Sequence, residues 1–223
     1  TDAIMPSSTV ENYVKAILAL SLEKGDDLVG MGEIAASMQV APGTATSMTK
    51  TLEREKLVRY KMRRGVILTA KGRKLGMGML RRHRLVETFL VETLGLDWTE
   101  IHLEAEELEH AISDKVLDRL DKLLGRPQFD PHGDPIPTKD GKIAKHDVLN
   151  LLECQRGVVS TVKLVTDQGA EFLNLARRKG LVPGASVEVV SRDLISDAVE
   201  IRIGKTTPFT LGSKAARKIL VAS

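Results

Sequence analysis

Two stretches of the chain place histidines and carboxylates at helical spacing. In RRHRLVE, His83 and Glu87 are four residues apart, and in HLEAEELEH, His102, Glu106 and Glu109 follow at steps of four and three. Side chains at these separations share one face of an α-helix. His110 is four residues from Glu106 and flanks the same face. Two such helices packed together would pool the three histidines with three or more carboxylates. A mixed nitrogen and oxygen donor set suits first-row divalent metals, and the lack of thiolate disfavours a structural zinc site. The competing reading is an acidic, salt-bridged surface helix. For EELEH alone that reading is the better one; the pairing of two clusters favours the metal.

A second group of residues points to an anionic partner. In TATSMTKTLER, a helix would put Ala45, Met48 and Leu52 on one face and Thr44, Thr46, Ser47, Lys50, Thr51 and Arg54 on the other. Small hydroxyl side chains let a helix backbone approach the major groove closely. Thr44, Thr46, Ser47 and Lys50 are therefore candidates for phosphate and base-edge contacts. The following LVRYKMRRGVILTAKG reads as two β-rich runs joined at Arg63-Arg64-Gly65. Arg63 and Arg64 at the tip of such a hairpin suit the phosphate backbone, and each would add salt-dependent affinity.

The elements that must position these residues are legible from periodicity. Apolar residues at three-to-four spacing predict helices over 8–22, 31–38, 44–56, 70–94 and 100–112, with another in SDKVLDRLDKLLG. Three short helices followed by a basic hairpin within the first 70 or so residues match a winged helix-turn-helix. Residues 126–141 contain Pro127, Pro131, Pro135 and Pro137, which no helix or central strand tolerates, so the segment reads as loop. Beyond it, one short helix over 168–179 among about five strands, the first over 158–166, suggests a small barrel. The expected fold is thus mainly α with a β-rich C-terminal part. Three domains are expected, over 1–74, 75–154 and 155–223. The apolar faces between residues 70 and 124 exceed what one small helical domain buries, which suggests a helical dimer interface.

Charge follows the same division. Residues 1–82 carry 14 Lys+Arg against 8 Asp+Glu, residues 83–154 carry 8 against 16, and residues 155–223 carry 11 against 6. A basic segment beside an acidic one suits an anionic partner for the first and cations for the second. The single cysteine, Cys154, excludes an intramolecular disulfide and a cysteine zinc finger, and fits a reducing compartment. TDAIMPSSTVENY shows no signal-peptide pattern, Met5 is a candidate start, and no stretch has the roughly 18 apolar residues of a membrane helix. The expected location is the cytoplasm. A hydrolase reading fails for want of a Ser-His-Asp set, a phosphate-cradling glycine loop or a His-Glu-x-x-His motif. A winged-helix regulator responding to a non-metal ligand remains the alternative.

The chain resembles the diphtheria-toxin-repressor or iron-dependent-regulator family, including its manganese-sensing branch. VENYVKAI, IAASMQVAPGTATSMTKTLEREKLV, LTAKGRKLG, RRHRLVETFL, GLDWTEIHLEAEELEHAISDKVLDRLDKLLG, HGDPIP and GLVPGASVEVVSR carry the resemblance, in the family's order and over nearly the whole chain. It implies a winged helix, a helical metal-binding dimerisation domain and an SH3-like C-terminal domain, in a repressor of metal-uptake genes. It assigns Glu106, Glu109 and His110, joined by Asn12, to a regulatory metal site, and His83, Glu87 and His102 to an ancillary one. Glu106 stands where iron sensors of the family carry cysteine and manganese sensors a glutamate, which favours Mn²⁺, with Fe²⁺ second. Asn12 replaces a usual aspartate or methionine, and Lys15 stands where short manganese sensors have a second carboxylate, so their binuclear arrangement is not expected. The family's C-terminal domain can lend a glutamate and a glutamine three residues apart, for which Gln168 and Glu171 are the candidates in reversed order. A two-fold dimer would present its recognition helices to successive major grooves, about 34–36 Å apart, on a palindromic operator in double-stranded DNA.

Overall fold

A computed structural model describes residues 7–145, 147–193 and 195–222; Met5 lies outside them. Contacts divide the chain into two units, residues 1–83 with 137–142, and residues 84–136 with 143–223.

The first unit begins with α1 (Ser8–Lys24), capped at one end by the Ser7 hydroxyl, which accepts from the Val10 N–H, and ended by Gly25 in the left-handed conformation. Then come α2 (Met31–Ser37) and α3 (Pro42–Arg54). The sequence places the start of this third helix at residue 44. It starts two residues earlier because Pro42 occupies the first turn, where its missing N–H costs nothing. β1 (Val58–Lys61) and β2 (Gly65–Leu68) pair antiparallel as the expected hairpin, with Tyr60 opposite Val66. Val14, Ile17, Val29, Ile34, Leu52, Leu57 and Val66 form the core beneath them.

Val29 ties the hairpin to the loop before α2 by exchanging two backbone hydrogen bonds with Val66, each 2.9 Å. That approach leaves no room at Gly65, where a Cβ would lie 2.0 Å from the Val29 carbonyl oxygen and φ is +136°. α4 (Ala70–Glu92) then runs on as one helix, and its residues after His83 belong to the second unit.

In the second unit, α5 (Ile101–Ala111) packs Ile101 and Ala105 on Val86 and Leu90 of α4. α6 (Asp114–Leu123), capped by Ser113, packs Leu117 against Leu85 and Ile136. β3 (Val148–Asn150), β4 (Val159–Val165), β5 (Ser186–Asp193), β6 (Ala198–Ile203), β7 (Phe209–Gly212) and β8 (Ile219–Ala222) form one sheet in the order β3-β8-β4-β5-β6-β7. All its pairings are antiparallel. β4 pairs with β5 through residues 159–161 and with β8 from Val162, with a shift of register after Val162. Such a shift bends a strand and lets one sheet curl around a core. That core includes Leu151, Val162, Leu173, Val189, Ile201 and Val221. The sheet has six strands among the described residues where the sequence suggests about five, because the three-residue β3 is too short to show periodicity.

α7 (Ala170–Lys179) begins two residues later than the sequence suggests. The Asp167 carboxylate accepts from the Gly169 N–H, a local turn that holds Gln168 outside the helix. α8 (Ser213–Ala216) lies between β7 and β8. No helix of the described residues is long and apolar enough to cross a membrane.

The close approach at Gly65 gives a direct check. Gly65→Ala forces both a clash with the Val29 carbonyl and an unfavourable φ, and is expected to lower stability by more than about 2 kcal/mol. Denaturant unfolding of the variant beside wild type measures it.

Candidate metal centres and nucleic-acid interface

The outward face of α3 carries the residues that the sequence marks for DNA. Thr44, Thr46, Ser47 and Lys50 are all exposed, while Ala45, Thr49 and Leu52 are buried. The Thr46 hydroxyl donates to the Pro42 carbonyl at 2.9 Å. Its proton is thereby committed within the helix, leaving a lone-pair acceptor suited to a base amino group rather than to phosphate. Arg63 and Arg64 are exposed in the turn between β1 and β2, Arg63 with φ of 58°. Glu53 of α3 accepts from the Tyr60 N–H at 2.9 Å, which fixes the hairpin against the helix. A rigid helix and a rigid basic turn thus share one unit.

Asn12 and His83 also belong to the first unit. Asn12 sits on α1 with its amide oxygen buried and without a hydrogen-bond donor. An orphaned buried carbonyl oxygen is a neutral ligand waiting for a partner. His83, 5% exposed, has its Nδ1 3.4 Å from the Lys15 ammonium. An ammonium has only protons to give, so Nδ1 accepts and the other ring nitrogen carries the proton.

On α5, His102 bridges two carboxylates. Its Nδ1 is 3.4 Å from Glu87 Oε1 and its Nε2 3.8 Å from Glu106 Oε1. Glu87, one turn beyond His83 on α4, is fully buried, and so is Glu109, whose Oε1 is 3.6 Å from His110 Nε2. Carboxylates are rarely kept from water without a cation. Imidazoles alternating with carboxylates form the donor set that first-row divalent ions accept.

Gln168 donates from Nε2 to Asp134 Oδ2 at 2.8 Å, and Glu171 is exposed in the first turn of α7.

The Pro-rich loop also holds Asp130 and His132, which local periodicity does not single out. Asp130 Oδ1 accepts from the His132 and Asp134 N–H groups at 2.9 and 3.0 Å. His132, with no exposed surface, stacks on Trp98 and places Nε2 2.9 Å from the Trp98 carbonyl. Its Nδ1 lies 3.9 Å from Glu87 Oε2. Arg84 pins the loop from α4, donating to the Pro135 carbonyl at 2.6 Å and to Asp134 at 3.0 Å, with Nε 3.6 Å from Asp130 Oδ2. Gly133 lies so close to the barrel that a Cβ would fall 1.9 Å from the Lys163 carbonyl. Burial first, then the charges of Asp134 and Glu87, push the Asp130 carboxyl well above the usual carboxylate range, with Arg84 and a backbone N–H opposing. The available sequence signal was an Asp and a His within a long loop that contains apolar residues.

Comparison with known proteins agrees with this layout along the whole chain. Residues 5–66 match the iron dependent repressor N-terminal DNA binding domain, 69–138 its metal binding and dimerisation domain, and 149–223 the FeoA domain. The iron-dependent repressor IdeR of Mycobacterium leprae (strain TN) is 33% identical over 193 residues, covering 81% of this chain and 83% of its own. The HTH-type transcriptional regulator MntR of Shouchella clausii is 36% identical over 120 residues, covering 54% of this chain and 82% of its own. A solved manganese-dependent transcriptional repressor in complex with manganese superposes with a TM-score of 0.86 at 36% identity, covering 96% of this chain and 99% of that one. This chain belongs to the iron-dependent repressor family and is a metal-dependent, DNA-binding transcriptional repressor with no enzymatic role.

Proposed function

We propose that the protein represses metal-uptake genes from the cytoplasm, as a homodimer on a palindromic operator, when Mn²⁺ is bound, with Fe²⁺ as the second candidate. The regulatory ion is held by Glu106, Glu109 and His110 with the Asn12 amide oxygen, and an ancillary ion by His83, Glu87 and His102. The observation that carries this reading is the His102 ring, set between the Glu87 and Glu106 carboxylates at 3.4 and 3.8 Å. An ion replacing the proton of such a pair gains two hard oxygen donors at once. The orphaned Asn12 oxygen supports its role as a neutral ligand.

Glu106 supplies a hard carboxylate, which favours Mn²⁺. Relatives named for manganese and for iron both fall within reach of this chain. Lys15, engaged with His83, puts a positive charge where a second carboxylate would be needed, which supports separate ions rather than a binuclear pair. Gln168 can ligate the ancillary ion through Oε1 while its Nε2 still donates to Asp134, and Glu171 is exposed.

The dimer is supported by apolar side chains left in water on the helices of the second unit. Leu103 and Leu123 are 75% and 65% exposed, and Leu108 and Val116 are exposed beside them in sequence. Aliphatic groups of this size are covered in stable assemblies.

Substitution at Glu106 tests the metal assignment. Glu106→Ala is expected to weaken Mn²⁺-dependent operator binding at least tenfold, about 1.4 kcal/mol, while leaving unfolding and dimerisation unchanged. Glu106→Cys is expected to shift relative affinity from Mn²⁺ towards Co²⁺ and Zn²⁺. A normal Mn²⁺ response in both variants removes Glu106 from the site.

The DNA assignment is tested on operator and random duplex across a salt series. Ser47→Ala is expected to lower sequence preference, since it removes a groove-facing hydroxyl. Arg64→Ala is expected to weaken binding to both duplexes alike and to reduce the salt slope by about one, since it removes a phosphate contact. The opposite pattern would exchange the two roles.

A further inference from the structure

The hairpin of the first unit carries apolar side chains beyond the core it covers. Its register puts Val58, Tyr60, Val66 and Leu68 on one face. Val58 and Val66 are buried there, whereas Tyr60 is 41% exposed and Met62, two residues further on, 77%. Met62 is the most exposed large apolar side chain among the described residues of that unit. We propose that Tyr60 and Met62 make an apolar contact in the minor groove of duplex DNA, which gives the protein a preference for A·T pairs beside the segment read by α3. This contact rests on the assignment of α3 and the hairpin turn to the DNA-facing surface, and adds to it a second element that reads sequence.

A lone methionine in water is ordinary on a protein surface. What marks Met62 is its setting. Arg59, Lys61 and Arg63 alternate with Tyr60 and Met62, so each of these two apolar side chains stands between two cations in the chain. The cations draw the strip onto phosphates, and an apolar group carried between them then meets sugars and base edges. The turn that presents Met62 is also fixed. The Lys61 carbonyl accepts from the Arg64 N–H at 2.9 Å, with Met62 and Arg63 as the two central residues. Arg63 takes the left-handed conformation that glycine or asparagine adopts at less cost, which keeps a cation beside Met62. Gly65, locked against the Val29 carbonyl, anchors the end of the turn. A second copy of the chain placed on this strip would bring like charges together, which disfavours self-association there.

Reach and chemistry both suit the minor groove. A strand the length of β1, four residues at about 3.3 Å each, spans about 13 Å, comparable with the roughly 12 Å width of a major groove. With α3 in the major groove, a hairpin of that length reaches past the bordering phosphates to the groove beside it. In that groove A·T pairs show acceptors only, whereas G·C adds the guanine amino donor. Met62 offers the amino group no partner, so covering a G·C pair leaves a buried donor unsatisfied, and A·T is favoured. Methionine is one of the side chains that enter minor grooves as apolar wedges, and its unbranched thioether adapts to irregular walls. The Tyr60 ring supplies flat apolar area for a deoxyribose.

The test uses the full chain with Mn²⁺ and the duplex that it retains best from a random-sequence pool. Three versions of that duplex differ only in the pairs bordering the selected core, which are A·T, G·C or inosine·C. Inosine·C lacks the minor-groove amino group but keeps the major-groove pattern of G·C, so it separates the two grooves. Wild type is expected to bind the A·T and inosine·C versions alike, and about fivefold or more tighter than the G·C version. Met62→Gln keeps the length of the side chain and removes its apolar end. It is expected to bring the three versions within about twofold of one another, with the salt slope and the core preference unchanged. Arg64→Ala is expected to weaken all three and keep their order. Equal wild-type affinity for the three versions, or a flank preference that survives Met62→Gln, overturns the proposal. So does a Met62→Gln variant with an altered oligomeric state, which would give the strip to a second copy of the chain. Loss of the flank preference in Arg64→Ala but not in Met62→Gln assigns it to the arginine and overturns the proposal as well. If Ser47→Ala leaves the core preference intact, the assignment of α3 fails, whatever the flanks show.

Discussion

A carboxylate removed from water has to be met by positive charge or by donors, and the second unit removes three: Glu87, Glu109 and Asp130. Most of its architecture can be read as a response. α4 and α5 bring His102 to one oxygen of Glu87 and the Pro-rich loop brings His132 towards the other. Arg84 reaches from the same α4 to Asp134 and Asp130. The apolar packing of Val86, Leu90, Ile101 and Ala105 keeps the helices in register.

The first unit answers a different constraint. A duplex presents regular negative charge, and a reader must hold a helix and a basic turn in fixed relation to follow it. Three short helices cannot do so by length, so they rely on the hairpin. Val29 clamps it by paired backbone hydrogen bonds, Gly65 permits the contact, and Glu53 ties Tyr60 to the recognition helix. The exposed hydroxyls of α3 are short and the arginines of the turn are long, a division that suits close reading by one and reach by the other.

Much of this was legible from the sequence because it rests on local periodicity. The helices of the winged region, the Arg63-Arg64-Gly65 turn and the two acidic clusters announce themselves within windows of ten to twenty residues. Where the expectations shifted, non-local or local-turn chemistry was responsible. α7 starts at Ala170 because Asp167 captures the Gly169 N–H and leaves Gln168 outside. β3 is three residues paired with β8, some seventy positions later in the chain, and has no period to read. Asp130 and His132 were hidden for a similar reason. Their burial is imposed by Trp98, Arg84 and the Lys163 carbonyl, all distant in sequence, so local periodicity in a proline-rich loop does not reveal a buried polar cluster.

The central claim is that metal occupancy of the acidic helices governs DNA binding by the winged helix. It is tested most directly by operator affinity of the wild-type chain as free Mn²⁺ is stepped through a buffered range and then removed by chelator. The account predicts an affinity that rises with Mn²⁺, saturates, and falls back on chelation, with little change for random duplex at the same ionic strength. Equal affinity with and without metal would contradict it.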